Sequence, residues 1–192
     1  MDVWPINLQE ILSGVMTKVN ASTQNLSSVL IETTLVVDPQ IKREGLSSAE
    51  GDKRKLIKVA VGVVLNSEDA FLLASRPEGK AYAGYWEFPG GKYEEGETGK
   101  EALARELQEE LGVNIDLNQT SEWRVQMVDY PHALVELNFF LVRGFKGELQ
   151  TLEGQTLTWS QLPVTVSPVL PGALPVLDWL AVDRAFVGPT HF

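Results

Sequence analysis

The stretch that decides the fold is residues 91–113, GKYEEGETGKEALARELQEELGV. Thr98 followed by Glu101 is a capping box, which predicts that a helix begins here. Leucines then recur at every fourth position, and Gly112 is suited to end the helix in a left-handed conformation. The sequence therefore predicts an amphipathic helix over residues 98–111 whose leucine face must pack against other elements.

The same helix places three glutamates on the face next to the leucines. At about 100° per residue, Glu106, Glu109 and Glu110 fall within roughly one 100° arc. Like charges at this spacing repel each other, and the C-terminal end of a helix disfavours anions. A solvated acidic face is one interpretation. A site for Mg²⁺ or Mn²⁺ is the other, because these cations prefer oxygen ligands and would remove the repulsion.

The spacing around the glutamates favours the metal site. From Gly91 to Val113 the segment reads G-x5-E-x7-R-E-L-x-E-E-x-G-V. This pattern resembles the Nudix box, the signature of hydrolases that cleave a nucleoside diphosphate linked to another moiety. The resemblance implies an ion pair between Arg105 and Glu97 that orients the site. It also implies a Mg²⁺ site, with Mn²⁺ as a substitute, whose ligands are Glu106, Glu109, Glu110 and the carbonyl of Gly90.

The loop before the helix is similar to one branch of that family. Residues 77–98, PEGKAYAGYWEFPGGKYEEGET, look like the MutT-type branch, which destroys oxidised purine deoxynucleoside triphosphates. The resemblance implies that Glu153 lies near the metals, as a ligand or as the base for the attacking water. Two adjacent glycines also suit a close approach of backbone to phosphate. The substrate-binding residues implied by the resemblance are Arg76, Glu87, Phe88, Pro89, Gly90 and Gly91.

Three positions depart from the MutT-type branch. Ala173 stands where members commonly carry an amide or carboxylate that reads the purine edge. Ala133 replaces a basic residue, and Ser75 replaces the first of two arginines. Base recognition must therefore use other groups. Aromatic residues that could stack on a base, or could equally belong to the core, are Trp86, Phe88 and Trp123.

The elements around the helix predict an α+β fold. Residues 56–65 and 70–75 are apolar and flank a polar turn, so we expect them to form a β-hairpin. Strands and helices in this mixed order imply helices that cover a mixed sheet, and the resemblance implies a Nudix-type α/β/α sandwich. The remaining predicted elements are strands over 122–128, 134–143 and 156–159 and a closing helix over 173–182.

The chain divides near residue 55. We expect residues 1–55 to form a mobile or loosely docked extension, residues 56–185 the Nudix hydrolase domain, and residues 186–192 a tail. Within the extension, residues 7–19 have the spacing of an amphipathic helix, and residues 29–37 are β-branched and strand-like. No catalytic motif lies in this part of the sequence.

Composition excludes several classes of function. The chain has 192 residues, with 16 Lys and Arg against 26 Asp and Glu, which gives a net charge of −10. We therefore expect no direct nucleic-acid binding and a small-molecule nucleotide as the partner. The absence of cysteine excludes thiolate catalysis and disulfides. Because no segment resembles a membrane span or leader, we expect a cytoplasmic protein without membrane association, as a monomer or dimer.

The resemblance implies metal-dependent hydrolysis of 8-oxo-dGTP to 8-oxo-dGMP and pyrophosphate, as part of nucleotide-pool sanitisation linked to DNA replication and repair. One alternative keeps this chemistry but changes the substrate to other nucleoside triphosphates, such as CTP, or to nucleoside diphosphate derivatives. Another alternative is a sensor that binds a nucleotide without cleaving it. A sensor would be expected to have lost some of the metal-binding glutamates, and this sequence retains them.

Overall fold

A computed structural model describes residues 31–32, 55–130 and 133–192. The predicted helix over residues 7–19 lies outside the described residues, and only two residues of the strand-like segment 29–37 lie within them. Among the described residues, no helix is long and apolar enough to cross a membrane. The division of the chain near residue 55 stays a prediction.

The described residues form ten strands and two α-helices. The helices are α1 (Gly99–Leu111) and α2 (Leu174–Asp183). The strands are β1 (Ile31–Glu32), β2 (Leu56–Val64), β3 (Phe71–Ser75), β4 (Trp86–Glu87), β5 (Gly90–Lys92), β6 (Asn114–Ile115), β7 (Thr120–Tyr130), β8 (Ala133–Val142), β9 (Phe145–Lys146) and β10 (Leu157–Ser160).

A five-stranded mixed sheet forms the centre of the fold, in the order β1-β7-β8-β2-β5. Strands β2 and β8 are parallel along their whole length, whereas β7 pairs with β8 and β5 pairs with β2 in the antiparallel direction. Alternate residues point to opposite faces, so the sheet buries one apolar set against α1 and another against α2. This arrangement confirms the predicted α/β/α sandwich. Smaller sheets, β10-β3-β4 and β6-β9, lie beside it.

The predicted hairpin of residues 56–65 with 70–75 is wrong. The turn is present, since the Asn66 N–H donates to the Ala70 carbonyl at 3.0 Å. However, only Leu65 and Phe71 bridge the two segments, and β3 then pairs with β4 and β10 in the three-stranded sheet. Both edges of β2 are already occupied by β8 and β5. Because a strand has only two hydrogen-bonding edges, β3 must pair elsewhere.

Helix α1 lies where the sequence predicts it and faces β2 through its leucines. Thr98 and Glu101 form the capping box, and Gly112 ends the helix with φ +70°. The helix packs closely because β2 carries glycine beneath it: a Cβ on Gly62 would lie 3.2 Å from Leu103 and 3.3 Å from Leu107. This close packing brings the glutamate face of α1 to the neighbouring strand β5.

Candidate active site

The backbone of β5 lies directly against two glutamates of α1. A Cβ on Gly91 would overlap the carboxylate of Glu106, and the Gly90 N–H donates to Glu110 Oε2 at 3.3 Å. Gly90 has φ +145°, and a side chain there would also collide with the carbonyl oxygen of Ala60. Only glycine therefore allows the loop and the two carboxylates to approach this closely.

Arg105 connects the acidic face to the loop. Its guanidinium donates to both oxygens of Glu97, at 2.8 Å and 3.0 Å, and to the Lys92 carbonyl at 2.8 Å. The same side chain reaches Glu106 at 2.8 Å and Glu109 at 3.2 Å. The hydrogen bonds from Arg105, together with one from the backbone N–H of Glu94, lower the pKa of Glu97 to about 2. The geometry thus contains the ion pair expected from the sequence and extends it to two of the candidate ligands.

Glu110 is the carboxylate most strongly affected by its surroundings. Burial, followed by the negative charges of Glu153 and Glu106, raises its pKa to about 7, although the Gly90 N–H and Lys80 act in the opposite direction. A raised pKa beside two other carboxylates indicates that this part of the site carries an excess of negative charge. A cation bound there would neutralise that charge.

Glu153 reaches the site from a loop more than 40 residues along the chain. The loop is held by Gln155, whose amide donates to the Glu110 carbonyl at 2.7 Å and accepts from the Glu153 N–H at 2.9 Å. The Glu153 carboxylate pairs with Lys80. The sequence does not single out Gln155 or Lys80 as site residues. The signal for Gln155 was a polar side chain two residues from a candidate catalytic glutamate, whereas nothing local distinguishes Lys80.

The loop candidates before β5 are paired with one another. Arg76 forms a two-bond ion pair with Glu87, at 2.7 Å and 2.8 Å. Burial raises the pKa of Glu87, and Arg76 counteracts that rise. Phe88 is buried, with its ring 5.6 Å from that of Phe71, and the Pro89 carbonyl accepts from a backbone N–H of β2 at 2.8 Å. These residues therefore shape the loop, and the Phe88 side chain belongs to the core.

A family model described as the NUDIX domain matches residues 56–180, which include α1, β5 and the Glu153 loop. This chain belongs to the Nudix family. A relative named 8-oxo-dGTP diphosphatase from Proteus vulgaris is 43% identical over 103 residues, covering 54% of this chain and 89% of the relative. A relative named CTP pyrophosphohydrolase from Escherichia coli is 34% identical over 132 residues, covering 68% of this chain and 96% of the relative.

A solved structure agrees with the family assignment. The solution structure of the Escherichia coli ORF135 protein is 32% identical to this chain and superposes with a TM-score of 0.59. The superposition covers 69% of this chain and 93% of that protein. The Nudix sandwich inferred from the motif is therefore the fold of the described residues.

The residues at the positions that depart from the MutT-type pattern are buried or contact other parts of the fold. Ala173 and Ala133 are buried, with 4% and 2% of their surface exposed. The Ser75 hydroxyl accepts from the Thr156 N–H at 2.9 Å and so helps to join β3 to β10. Trp123 contacts the edge of Trp179.

The donor chemistry of this Nudix site fits a divalent cation, the group that Nudix hydrolases generally need. Glu106, Glu110 and Glu153 supply carboxylate oxygens, and the charges of Glu106 and Glu153 both act on Glu110. Among the described residues, however, no group of three or more such side chains is arranged to hold a metal ion. Arg105 pairs with Glu106, and Lys80 pairs with Glu153. Glu109 lies further out, with 59% of its side chain exposed.

Proposed function

We propose that this Nudix protein hydrolyses nucleoside triphosphates with a divalent cation, and that 8-oxo-dGTP, converted to 8-oxo-dGMP and pyrophosphate, is its preferred substrate. The observation that carries the proposal is the packing of Glu106 and Glu110 against Gly90 and Gly91, with Glu153 beside them. Relatives at 41% and 43% identity named 8-oxo-dGTP diphosphatase support this substrate.

In this proposal, residues of α1 and β5 hold the cation, and a glutamate accepts the proton of the attacking water. The cation would be held by Glu106, Glu109, Glu110 and the carbonyl of Gly90. When bound, it would neutralise phosphate charge and lower the pKa of the attacking water. Either Glu106 or Glu153 would accept the proton of that water. The products would be a nucleoside monophosphate and pyrophosphate, with water attacking the β-phosphorus, as the resemblance to the MutT-type branch implies.

The residues around the ligands hold them in place. Arg105 positions Glu106 through the 2.8 Å bond and holds the β5 loop through the Lys92 carbonyl. Arg76, Glu87 and Phe88 would shape the nucleotide-binding loop, whose exposed backbone would contact the substrate. Arg105 and Lys80 offset part of the negative charge of the carboxylates.

A second substrate class is favoured by two observations. Ala173, at the position of the polar purine reader, is buried and apolar, and the relative named CTP pyrophosphohydrolase matches 68% of this chain. Hydrolysis of CTP or of nucleoside diphosphate derivatives is therefore the alternative. A sensor that binds without cleaving is the weaker candidate, because all the glutamates of the motif are present.

A substrate panel with Mg²⁺ tests the proposal. Because a site without the polar reader discriminates modestly, we expect kcat/KM for 8-oxo-dGTP to exceed that for dGTP by about 10 to 200-fold. Pyrophosphate, and not inorganic phosphate, should be released. The matched variants are Glu110→Gln, which should be inactive, and Glu148→Gln, an exposed glutamate away from the site, which should be fully active. Equal hydrolysis of dGTP, dCTP and 8-oxo-dGTP would overturn the preference.

The cellular setting is part of the same proposal. A cytoplasmic location and the absence of direct nucleic-acid binding are supported by the lack of cysteine and by the net charge of −10. A monomer or dimer is the proposed assembly. Sedimentation and a filter-binding assay with duplex DNA at low salt would test these points.

A further inference from the structure

Lys80 brings a positive charge to the acidic site from the loop between β3 and β4. Its ammonium pairs with Glu153, and its charge opposes the rise in the pKa of Glu110. Among the described residues, Lys58 is the other lysine in an ion pair, and its partner Glu136 lies on β8. Lys80 is therefore the lysine that is paired with a candidate site carboxylate in the described part of the chain.

Lys80 also has hydrogen-bond donors to spare, whereas the two arginines of the site do not offer the same freedom. A guanidinium has five N–H donors, and Arg105 makes five bonds to the acceptors already described. Arg76 is held by both oxygens of Glu87 and by the carbonyl of Ala81 at 2.6 Å. An ammonium has three donors, and in the described residues that of Lys80 makes one bond.

The backbone that carries Lys80 is fixed, but its side chain is not. The Lys80 N–H donates to the Pro77 carbonyl at 3.3 Å, and the Gly84 N–H donates to the Arg76 carbonyl at 2.9 Å, so the loop is closed by its own bonds. The side chains of Lys80 and Glu153 are 48% and 38% exposed. Ion pairs this exposed contribute little stability, and a lysine stem is flexible. The ammonium can therefore change its partner without moving the loop.

We propose that Lys80 is a substrate-binding residue whose ammonium leaves Glu153 and binds the β- and γ-phosphate oxygens when a triphosphate enters the site. This inference rests on the proposed function, in which Glu153 is one of two candidate bases for the water that attacks the β-phosphorus. A cation beside Glu153 then lies next to the phosphates that leave as pyrophosphate. An ammonium binds phosphate well as a point charge. Its departure also frees the Glu153 carboxylate for its role in the reaction.

Binding of pyrophosphate tests this inference without requiring turnover. The full chain in Mg²⁺ buffer would be titrated calorimetrically with pyrophosphate and, separately, with 8-oxo-dGMP. The wild type would be compared with Lys80→Met, which removes the charge, and with Lys80→Arg, which keeps it. Lys146→Met is the matched control, because Lys146 is an exposed lysine on β9. Mn²⁺ affinity without any phosphate, measured by electron paramagnetic resonance, is the second readout.

We expect Lys80→Met to weaken pyrophosphate binding by about tenfold, because one bond to a charged group is lost at a half-exposed position. Binding of 8-oxo-dGMP should change by less than about twofold, because the ammonium binds the other half of the substrate. Mn²⁺ affinity should be unchanged or higher, because a cation near the carboxylates has been removed. Lys80→Arg should stay within about threefold of the wild type in all three measurements, and Lys146→Met should match the wild type.

Three results would overturn the inference. One is an unchanged affinity of Lys80→Met for pyrophosphate, or no detectable binding by the wild type. Another is an equal loss in Lys80→Arg and Lys80→Met, because the charge would then not be what binds. The third is a parallel loss of affinity for pyrophosphate, 8-oxo-dGMP and Mn²⁺ in Lys80→Met, which would show that the pair with Glu153 only holds the two loops together.

This inference and the proposed function fail in distinguishable ways. If Lys80 is needed for pyrophosphate binding but the wild type hydrolyses no triphosphate with Mg²⁺, the proposed activity is wrong and the phosphate contact stands. If the wild type hydrolyses 8-oxo-dGTP and Lys80→Met binds pyrophosphate as well as the wild type does, the activity stands and other groups bind the phosphates.

Discussion

Neutralising Glu110 should remove one contribution to the loss of stability that the apo protein shows as the pH rises. The folded state raises the pKa of Glu110 from 4.5 to about 7, mainly through burial and the neighbouring Glu153. A raised pKa means that folding favours the protonated carboxyl. The stability associated with that proton is fully present below the unfolded pKa and is lost as the pH rises through the folded pKa. A rise of this size corresponds to about 3 kcal/mol.

Urea unfolding in the presence of EDTA measures the effect. From about pH 4.5 to about pH 8, the free energy of unfolding of the wild type should fall relative to Glu110→Gln by up to about 3 kcal/mol. The glutamine keeps the size of the side chain and can still accept from the Gly90 N–H. The exposed variant Glu148→Gln should follow the wild type. Parallel profiles for the wild type and Glu110→Gln would refute the reasoning, because the carboxylate would then ionise in the folded state as easily as in the unfolded state.

Three further predictions concern the site and the extension. Glu109→Gln should lower turnover with Mg²⁺ by at least about 10²-fold without reducing the apo Tm, and a large drop in that Tm would show the glutamate to be structural. Gly91→Ala should weaken Mn²⁺ binding, measured by electron paramagnetic resonance, because the methyl group overlaps the Glu106 carboxylate; wild-type affinity would contradict that overlap. Removal of residues 1–50 should leave hydrolysis intact, because every candidate site residue lies beyond Leu56. Loss of activity or solubility would instead assign the extension a role in the core or an interface.

Most of the site could be predicted because its residues belong to one local pattern. Thr98, Glu101 and Gly112 determine where α1 begins and ends through bonds between residues three or four positions apart. The same spacing places the glutamates on one face. The ion pair of Arg105 with Glu97 also follows the motif, and the structure contains it at 2.8 Å.

The pairing of the strands could not be predicted in the same way. The turn at Asn66–Ala70 is local and was expected, but β2 and β3 separate because β8 and β5 already occupy both edges of β2. Local sequence shows where a chain turns, whereas the partner of a strand depends on which edges remain free. The Ala173 position could be aligned with a purine reader, but its burial among core residues became visible only in the folded arrangement.

By itself, the sequence determined where helix α1 lies and which of its faces carry the leucines and the glutamates. It also showed that this segment matches the motif of a family of metal-dependent hydrolases. Tertiary structure alone decided that Gln155 bonds the Glu110 carbonyl across 45 positions, that Lys80 pairs with Glu153 across 73, and that Gln126 is buried without a partner. The physical reason is the range of the interactions. Hydrogen bonds within a helix act over one turn and leave a periodic trace in the sequence. Contacts between distant segments depend on how the sheet and helices pack, and their residues carry no periodic signal of that packing.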